Sequence, residues 1–316
     1  MSKRWLPLGA IGLSVVLWSM AYVLSGWALA TASPAVLSVS RFAIALIVLV
    51  PLAARRRHFV RTLRDPRTIL LGLTGVTLYY SFANIGLLFT TPGTAALVVS
   101  LLPVLTAIAA VVMISERLTR RTLVGLVLAT IGVGLVAASG FRFDLGVVLN
   151  IVALASYAIY TVLLRRHGDR DDGPDALVLA TATGVWGTAL MLPWLGWEVA
   201  VGSAAVPTDG RGILSILALA LIVTAPTLVL FNYGAERVPA AISGVATAAI
   251  PALGYGFALL LGEPLDPVKA LGGAVALFGV LIATLAQPDV EPSPPGTGLP
   301  EPADLAPEVR ADDPAR

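Results

Sequence analysis

Ten stretches of predominantly apolar residues divide the chain, at approximately 6–29, 34–53, 68–89, 94–114, 121–139, 144–164, 174–195, 213–233, 240–261 and 267–286. A hydrocarbon core about 30 Å thick takes roughly 20 apolar helical residues to cross, so each stretch predicts a transmembrane helix. Polar residues and prolines gather in the short intervals between them. Ser33-Pro34 opens the second helix, Thr119 the fifth and Asp266-Pro267 the tenth, as N-cap residues with proline tolerated at the first helical position. Only Thr90-Thr91-Pro92-Gly93 separates the third helix from the fourth. Lys3 and Arg4 precede the first stretch and Ala28-Leu29-Ala30 looks like a cleavage site. The stretch is nevertheless longer than the roughly 7–15 apolar residues of a signal core, so it reads as a retained helix.

Composition narrows the class. Of 316 residues, 57% are hydrophobic and 13% charged, with a mean hydropathy of +0.87, whereas soluble domains carry about 25% charged residues. That balance leaves too little charge to cover a water-soluble enzyme of this size. There is no cysteine, which removes disulfides, thiolate metal ligands and a cysteine nucleophile. The two histidines, His58 and His167, lie among arginines between apolar stretches and form no metal-binding cluster. No cofactor and no metal are expected.

Charge is unevenly distributed. Residues 287–316 hold eight prolines, seven carboxylates and two arginines, a composition that predicts a disordered acidic tail. The tail carries −5 against +2 overall, which leaves +7 on residues 1–286. With the N-terminus inside, fifteen lysines and arginines fall on cytoplasmic segments, and only Arg142, Arg211 and Lys269 fall outside. By the positive-inside rule both termini are expected in the cytoplasm of a multi-pass cytoplasmic-membrane protein.

The order Pro103, Glu116, Leu118, Thr119, Gly125, Ala129, Gly132, Val133 returns as Pro251, Glu263, Leu265, Asp266, Gly272, Ala276, Gly279, Val280. From the glutamate onward every offset is the same. Tyr22 and Pro34 are answered more weakly by Tyr160 and Pro174. The expected fold is therefore an all-α membrane protein of ten transmembrane helices. It is built as a first five-helix repeat, 1–139, and a second, 144–286. Five is odd, so the second unit is inverted, an arrangement characteristic of secondary transporters with a substrate site near mid-membrane.

Gly125, Ala129, Gly132 and Gly272, Ala276, Gly279 form small-residue stripes that predict close helix packing. Polar and aromatic positions mark other helices and argue for a shared cavity, because hydroxyls and amides avoid lipid. The candidate substrate-binding residues are Trp18, Tyr22, Arg41, Tyr80, Asn84, Ser100, Tyr157, Tyr160, Thr181, Thr227 and Thr247. Arg41 is the sole charge well inside a span, suited either to anchoring a carboxylate or phosphate or to capping neighbouring carbonyls. By the proline alignment its counterpart is Thr181. No Asp or Glu is expected deep in a helix. Glu116 and Glu263 are read as favouring the N-terminus of the helix that follows each. Neutral, zwitterionic or anionic cargo then fits better than a cation.

Trp18, Pro34 followed by Arg41-Phe42, and the two Pro…Glu-x-Leu…Gly…Gly segments together resemble the EamA branch of the drug/metabolite transporter superfamily. The resemblance covers residues 6–286. It implies a ten-helix inverted-repeat carrier of amino acids and other small metabolites, often exporting. Helices one to four and six to nine would line the cavity, with five and ten peripheral. The expected function is non-ATP export of a small metabolite by alternating access. The alternatives are uptake or the carriage of phosphorylated or nucleotide-linked sugars, and, outside transport, an intramembrane enzyme. Absence of HExxH, GxSxG and a deep aspartate pair speaks against the last. The expected partners are a small-molecule substrate and the lipid bilayer, with no nucleic acid, in a monomer or homodimer.

Overall fold

A computed structural model describes residues 5–114, 120–138, 144–168, 175–235 and 249–285. Among them there is no strand. Seven helical stretches are long and apolar enough to cross a membrane: Leu6–Leu29, Pro34–Ala54, Pro66–Gly86, Pro92–Met113, Leu145–Leu164, Ala176–Ala200 and Gly210–Phe231. Three shorter apolar helices, Leu123–Val136, Ile250–Leu260 and Pro267–Ile282, fall on the remaining predicted stretches. Large apolar side chains point outward, with Ile47 73%, Val112 77% and Leu260 81% exposed. An apolar exterior on helices that satisfy their own backbone is the arrangement a bilayer requires. The protein is an all-helical, multi-pass membrane protein.

In chain order the helices are α1 (Trp5–Leu29), α2 (Pro34–Ala54), α3 (Phe59–Arg64), α4 (Pro66–Gly72), α5 (Tyr79–Gly86), α6 (Pro92–Val98), α7 (Leu102–Ile114) and α8 (Arg120–Ala138). They continue as α9 (Leu145–Gly168), α10 (Ala176–Ala200), α11 (Gly210–Ala218), α12 (Ala225–Ala235), α13 (Ile250–Leu260) and α14 (Pro267–Leu285). Two spans are interrupted by wide π-helical turns, Leu73–Leu78 between α4 and α5, and Leu219–Thr224 between α11 and α12. In each turn a threonine hydroxyl donates to the carbonyl five residues back, Thr77 to Gly72 at 3.3 Å and Thr224 to Leu219 at 2.7 Å. Those bonds occupy carbonyls that the widened turn draws away from ordinary helical partners.

Helices pack mainly across the chain rather than against sequence neighbours. The α1 helix lies against α12 and α13, while α9 lies against α5 and α7. The α2 helix pairs with α10, α6 with α13 and α8 with α14. In the α8–α14 pair the two small-residue stripes meet. A Cβ added at Gly132 would stand 2.3 Å from the Ala276 nitrogen, and one at Gly279 2.4 Å from the Ala129 nitrogen. The order of these contacts makes the two helices antiparallel, backbone against backbone.

Several boundaries differ from the sequence expectation. The seventh span runs to Ala200 rather than 195, because Pro193 sits inside α10 without ending it. This places Glu198 in the last turn of α10, a buried carboxylate only 8% exposed, at the end of the helix rather than deep in the span. Ser33 stands at the N-cap of α2 but gives that helix no side-chain hydrogen bond. Asp266 does cap α14, accepting from the Val268 and Lys269 nitrogens at 2.9 and 3.2 Å. Thr119 and Glu116 lie outside the described residues.

Candidate functional site

Arg41 sits two turns into α2 and is 4% exposed. An arginine in an otherwise apolar helix must turn toward protein or water, since lipid offers its donors nothing. Its Nε donates to Thr224 Oγ1 at 2.6 Å, on the second π-turn. The guanidinium carbon lies 4.9 Å from the Tyr80 ring centroid and 5.9 Å from that of Phe42, within range of cation–π attraction. Arginine has five N–H donors, and one is used in these contacts. Among the described residues no carboxylate forms an ion pair with Arg41. A buried cation without a counter-charge costs several kcal/mol, a cost that an anion brought to the guanidinium would offset.

Aromatic rings continue from this point. Phe42 and Tyr80 lie 4.7 Å apart between centroids, Tyr80 and Tyr79 4.8 Å, Tyr79 and Tyr157 5.0 Å, and Tyr157 and Tyr160 5.2 Å. Tyr22 of α1 comes close to Tyr79. The four tyrosines on α5 and α9 and Tyr22 are surrounded by other helices yet keep accessible surface, as residues lining an internal space do. Tyr160 fits against the first π-turn because Gly75 has no side chain, a Cβ there falling 2.5 Å from its ring.

Of the predicted residues, Tyr22, Arg41, Tyr80, Tyr157 and Tyr160 therefore converge. Trp18 packs its ring 4.8 Å from that of Phe231. Asn84 donates to Ser38 Oγ at 2.8 Å, joining α5 to α2. Thr227 turns back on its own helix to the Val223 carbonyl at 2.7 Å. Ser100 and Thr181 are fully buried with hydroxyls that make no hydrogen bond. Thr247 lies outside the described residues. Sequence reasoning left out Tyr79, because a regular helix through Tyr80 and Asn84 turns residue 79 off their face. In the structure the Tyr79 ring bridges those of Tyr80 and Tyr157.

At one end of the bundle sequence reasoning left Glu198 without a role and misassigned Glu263. Glu198 accepts from Ser33 Oγ at 2.5 Å and from the Ala35 nitrogen at 3.2 Å. Glu263 accepts from Thr91 Oγ1 at 2.5 Å and the Gly93 nitrogen at 2.9 Å. Glu263 thus serves the N-terminus of α6 rather than that of the helix following it, with Lys269 Nζ 3.6 Å away. Nearby, Asp209 accepts from Thr31 Oγ1 at 2.6 Å and from the Gly212 nitrogen at 3.0 Å. The Thr31 hydroxyl, and after it the Gly212 N–H, hold the Asp209 carboxyl below its ordinary value.

An arginine with spare donors, facing aromatic rings inside an apolar helical bundle, suits solute binding rather than bond-making chemistry. Comparison with known proteins agrees. The model of the EamA-like transporter family matches twice, over residues 6–138 and 144–285. The chain belongs to the EamA-like transporter family. It is 27% identical over 287 residues, 89% of this chain and 98% of the other, to a protein of Archaeoglobus fulgidus named an uncharacterized transporter. It is 28% identical over 282 residues, 86% of this chain and 91% of the other, to a protein of Streptantibioticus cattleyicolor named a probable terminal-alkyne amino-acid exporter. A crystal structure superposes with a TM-score of 0.64 at 21% identity, covering 87% of this chain and 95% of that one, which speaks to the fold alone. The described residues hold no group of three or more metal-binding side chains.

Proposed function

We propose that this EamA-like transporter exports a small metabolite bearing a carboxylate, amino-acid-like in size, by alternating access without ATP. The observation that carries this reading is the buried Arg41 guanidinium, tied to Thr224 by one donor and otherwise facing the Tyr80 and Phe42 rings. A carboxylate docking on its remaining N–H groups would gain charge-assisted hydrogen bonds. The tyrosines of α5 and α9 would enclose the rest of the solute. Tyr22, Arg41, Tyr80, Tyr157 and Tyr160 are the binding residues in this reading, with Tyr79 added. Export is favoured by the Streptantibioticus cattleyicolor relative, which is named a probable exporter.

The architecture we infer is two inverted five-helix repeats with both termini cytoplasmic. Three observations support it. The family matches twice along the chain. The contacts are alike under exchange of halves: the first span lies on the eighth and ninth, and the sixth lies on the third and fourth. Both π-turns fall in the third span of their half, and each reaches across to the other half. Thr224 accepts from Arg41 of α2, and Thr77 donates to the Gly187 carbonyl of α10 at 2.9 Å. In this correspondence Gly187, rather than Thr181, answers Arg41, so the site is charged on one side only.

The test is uptake of labelled solutes into proteoliposomes from protein purified without ATP. Amino acids and their carboxamides are compared, with an anion-free analogue as control. Carboxylate-dependent movement is expected. If a broad panel yields neither transport nor ligand-induced thermal stabilisation, the carrier reading falls.

A further inference from the structure

Alternating access requires each end of the bundle to open in turn, and the two ends of this structure are closed by different chemistry. At the end that carries Thr31, Thr91, Asp209 and Glu263, two clasps are built alike, the one on Glu198 buried and the one on Glu263 partly exposed. Ser33-Pro34-Ala35 and Thr91-Pro92-Gly93 each place a hydroxyl before a proline and a small residue after it. Proline has no N–H, so the next nitrogen is the first free donor of the helix. In both clasps a glutamate from the other half takes the hydroxyl on one oxygen and that nitrogen on the other. The carboxylate also meets the positive end of the helix dipole. A backbone bond from the Ser33 nitrogen to the Ala205 carbonyl at 3.0 Å, and the Arg211 guanidinium 4.4 Å over the Trp27 ring, close the same rim.

The opposite end of the α2–α10 pair is held differently. There Arg56 and Asp175 approach to 3.4 Å with side chains 61% and 39% exposed, a contact that holds little. The α8–α14 seam differs again, being interlocked backbone at its glycines. The glutamate clasps join the halves through groups at helix ends, which water can satisfy as soon as they part.

We propose that Glu198 and Glu263 are the two latches of the extracytoplasmic gate, shut in this structure and released when the bundle opens outward. The proposal rests on the alternating-access reading above, including its orientation. Solute passing the Arg41 site leaves by this rim once both carboxylates give up their hydroxyl and backbone donors to water.

The chain has no native cysteine, so spin labels can be placed without background. Ala30 and Val201 flank the Glu198 clasp, and Leu88 and Leu265 flank the Glu263 clasp; all four are exposed. Interlabel distances are read in nanodiscs, without added solute, for the full chain and its Glu198→Gln/Glu263→Gln variant. Glutamine retains one acceptor oxygen and turns a donor toward a donor, so the longer-distance population of both pairs is expected to rise about tenfold. If the double variant does not yield monodisperse protein, Thr91→Val removes one donor and leaves the carboxylate on Gly93. It should then lengthen the Leu88–Leu265 pair alone. Distances unchanged in every variant overturn the gate, even if solute transport is found. Separation in the variants with no solute moved by any member of the panel leaves the gate standing and removes the carrier reading instead.

Discussion

Arg41 gives the sharpest residue-scale prediction, because its surroundings separate a binding role from a structural one. Arg41→Gln should lower transport efficiency for a carboxylate by about ten- to a hundredfold, the equivalent of losing charge-assisted bonds worth roughly 1.5–3 kcal/mol. It should change little for the carboxamide, and leave the yield of folded protein similar. Equal losses for both solutes, or a collapsed yield, would assign the arginine to the scaffold. Arg41→Lys should not restore the carboxylate preference, since a point ammonium cannot hold Thr224 through one nitrogen while offering two others in a fork. A second residue makes a pH test. Asp209 is held below its unfolded pKa first by Thr31 and then by Gly212. The stability this contributes is complete at neutral pH and is lost as pH falls through the lowered folded value. Thr31→Val should therefore reduce the thermal midpoint at pH 7, and the difference from the parent should shrink in acid. A constant difference across that range would place the effect in packing. Arg41 was legible in the sequence because a charge inside an apolar run has nowhere else to show. Its partner Thr224 was not, being 183 residues distant and brought to it only by the fold.

At the scale of elements, the α8–α14 seam predicts unequal effects from chemically equal substitutions. Gly132→Ala puts a methyl group 2.3 Å from the Ala276 nitrogen and 2.5 Å from the Gly272 carbonyl oxygen, and neither backbone can yield without parting the helices. A cost of about 1–3 kcal/mol is expected from such overpacking. Gly134, two residues on, meets nothing within 4 Å. There alanine should be neutral or stabilising by up to about 1 kcal/mol, as its higher helix propensity implies. Thermal unfolding in detergent compares the two, and equal midpoints would deny the seam its tight contact. The stripes were readable because small residues recurred at helical spacing; that the two pack on each other is what the structure adds. Helix ends were read less well. The seventh stretch was read as ending near 195, yet α10 continues past Pro193 to Ala200. Only that extra turn carries Glu198 to Ser33. The π-turns left no sequence trace of the kind periodicity detects: one extra residue in a turn shifts every later side chain without altering composition.

For the molecule as a whole, orientation is the quantity on which function most depends, since it decides whether the Glu198–Glu263 rim is an exit or an entrance. The arginines argue for one answer. Arg55, Arg56, Arg57, Arg61, Arg64 and Arg67 crowd the α2–α4 connection, and translocating six guanidinium groups across a charged membrane is opposed at every step. The contacts then fix the remaining ends relative to that one. Glu263 and Glu198 cap the starts of α6 and α2, so their rim lies opposite the arginine-rich connection. Single cysteines at Val60, 56% exposed, and at Leu88 and Val206, 50% and 69% exposed, report the two sides in a chain that has no other thiol. In intact cells an impermeant maleimide should label positions 88 and 206 and spare position 60 until the membrane is permeabilised. The reverse pattern would turn the molecule over. Arg41 would then keep its chemistry, but the latched rim would face the cytoplasm, and the same clasps would guard loading of an exported solute rather than its release.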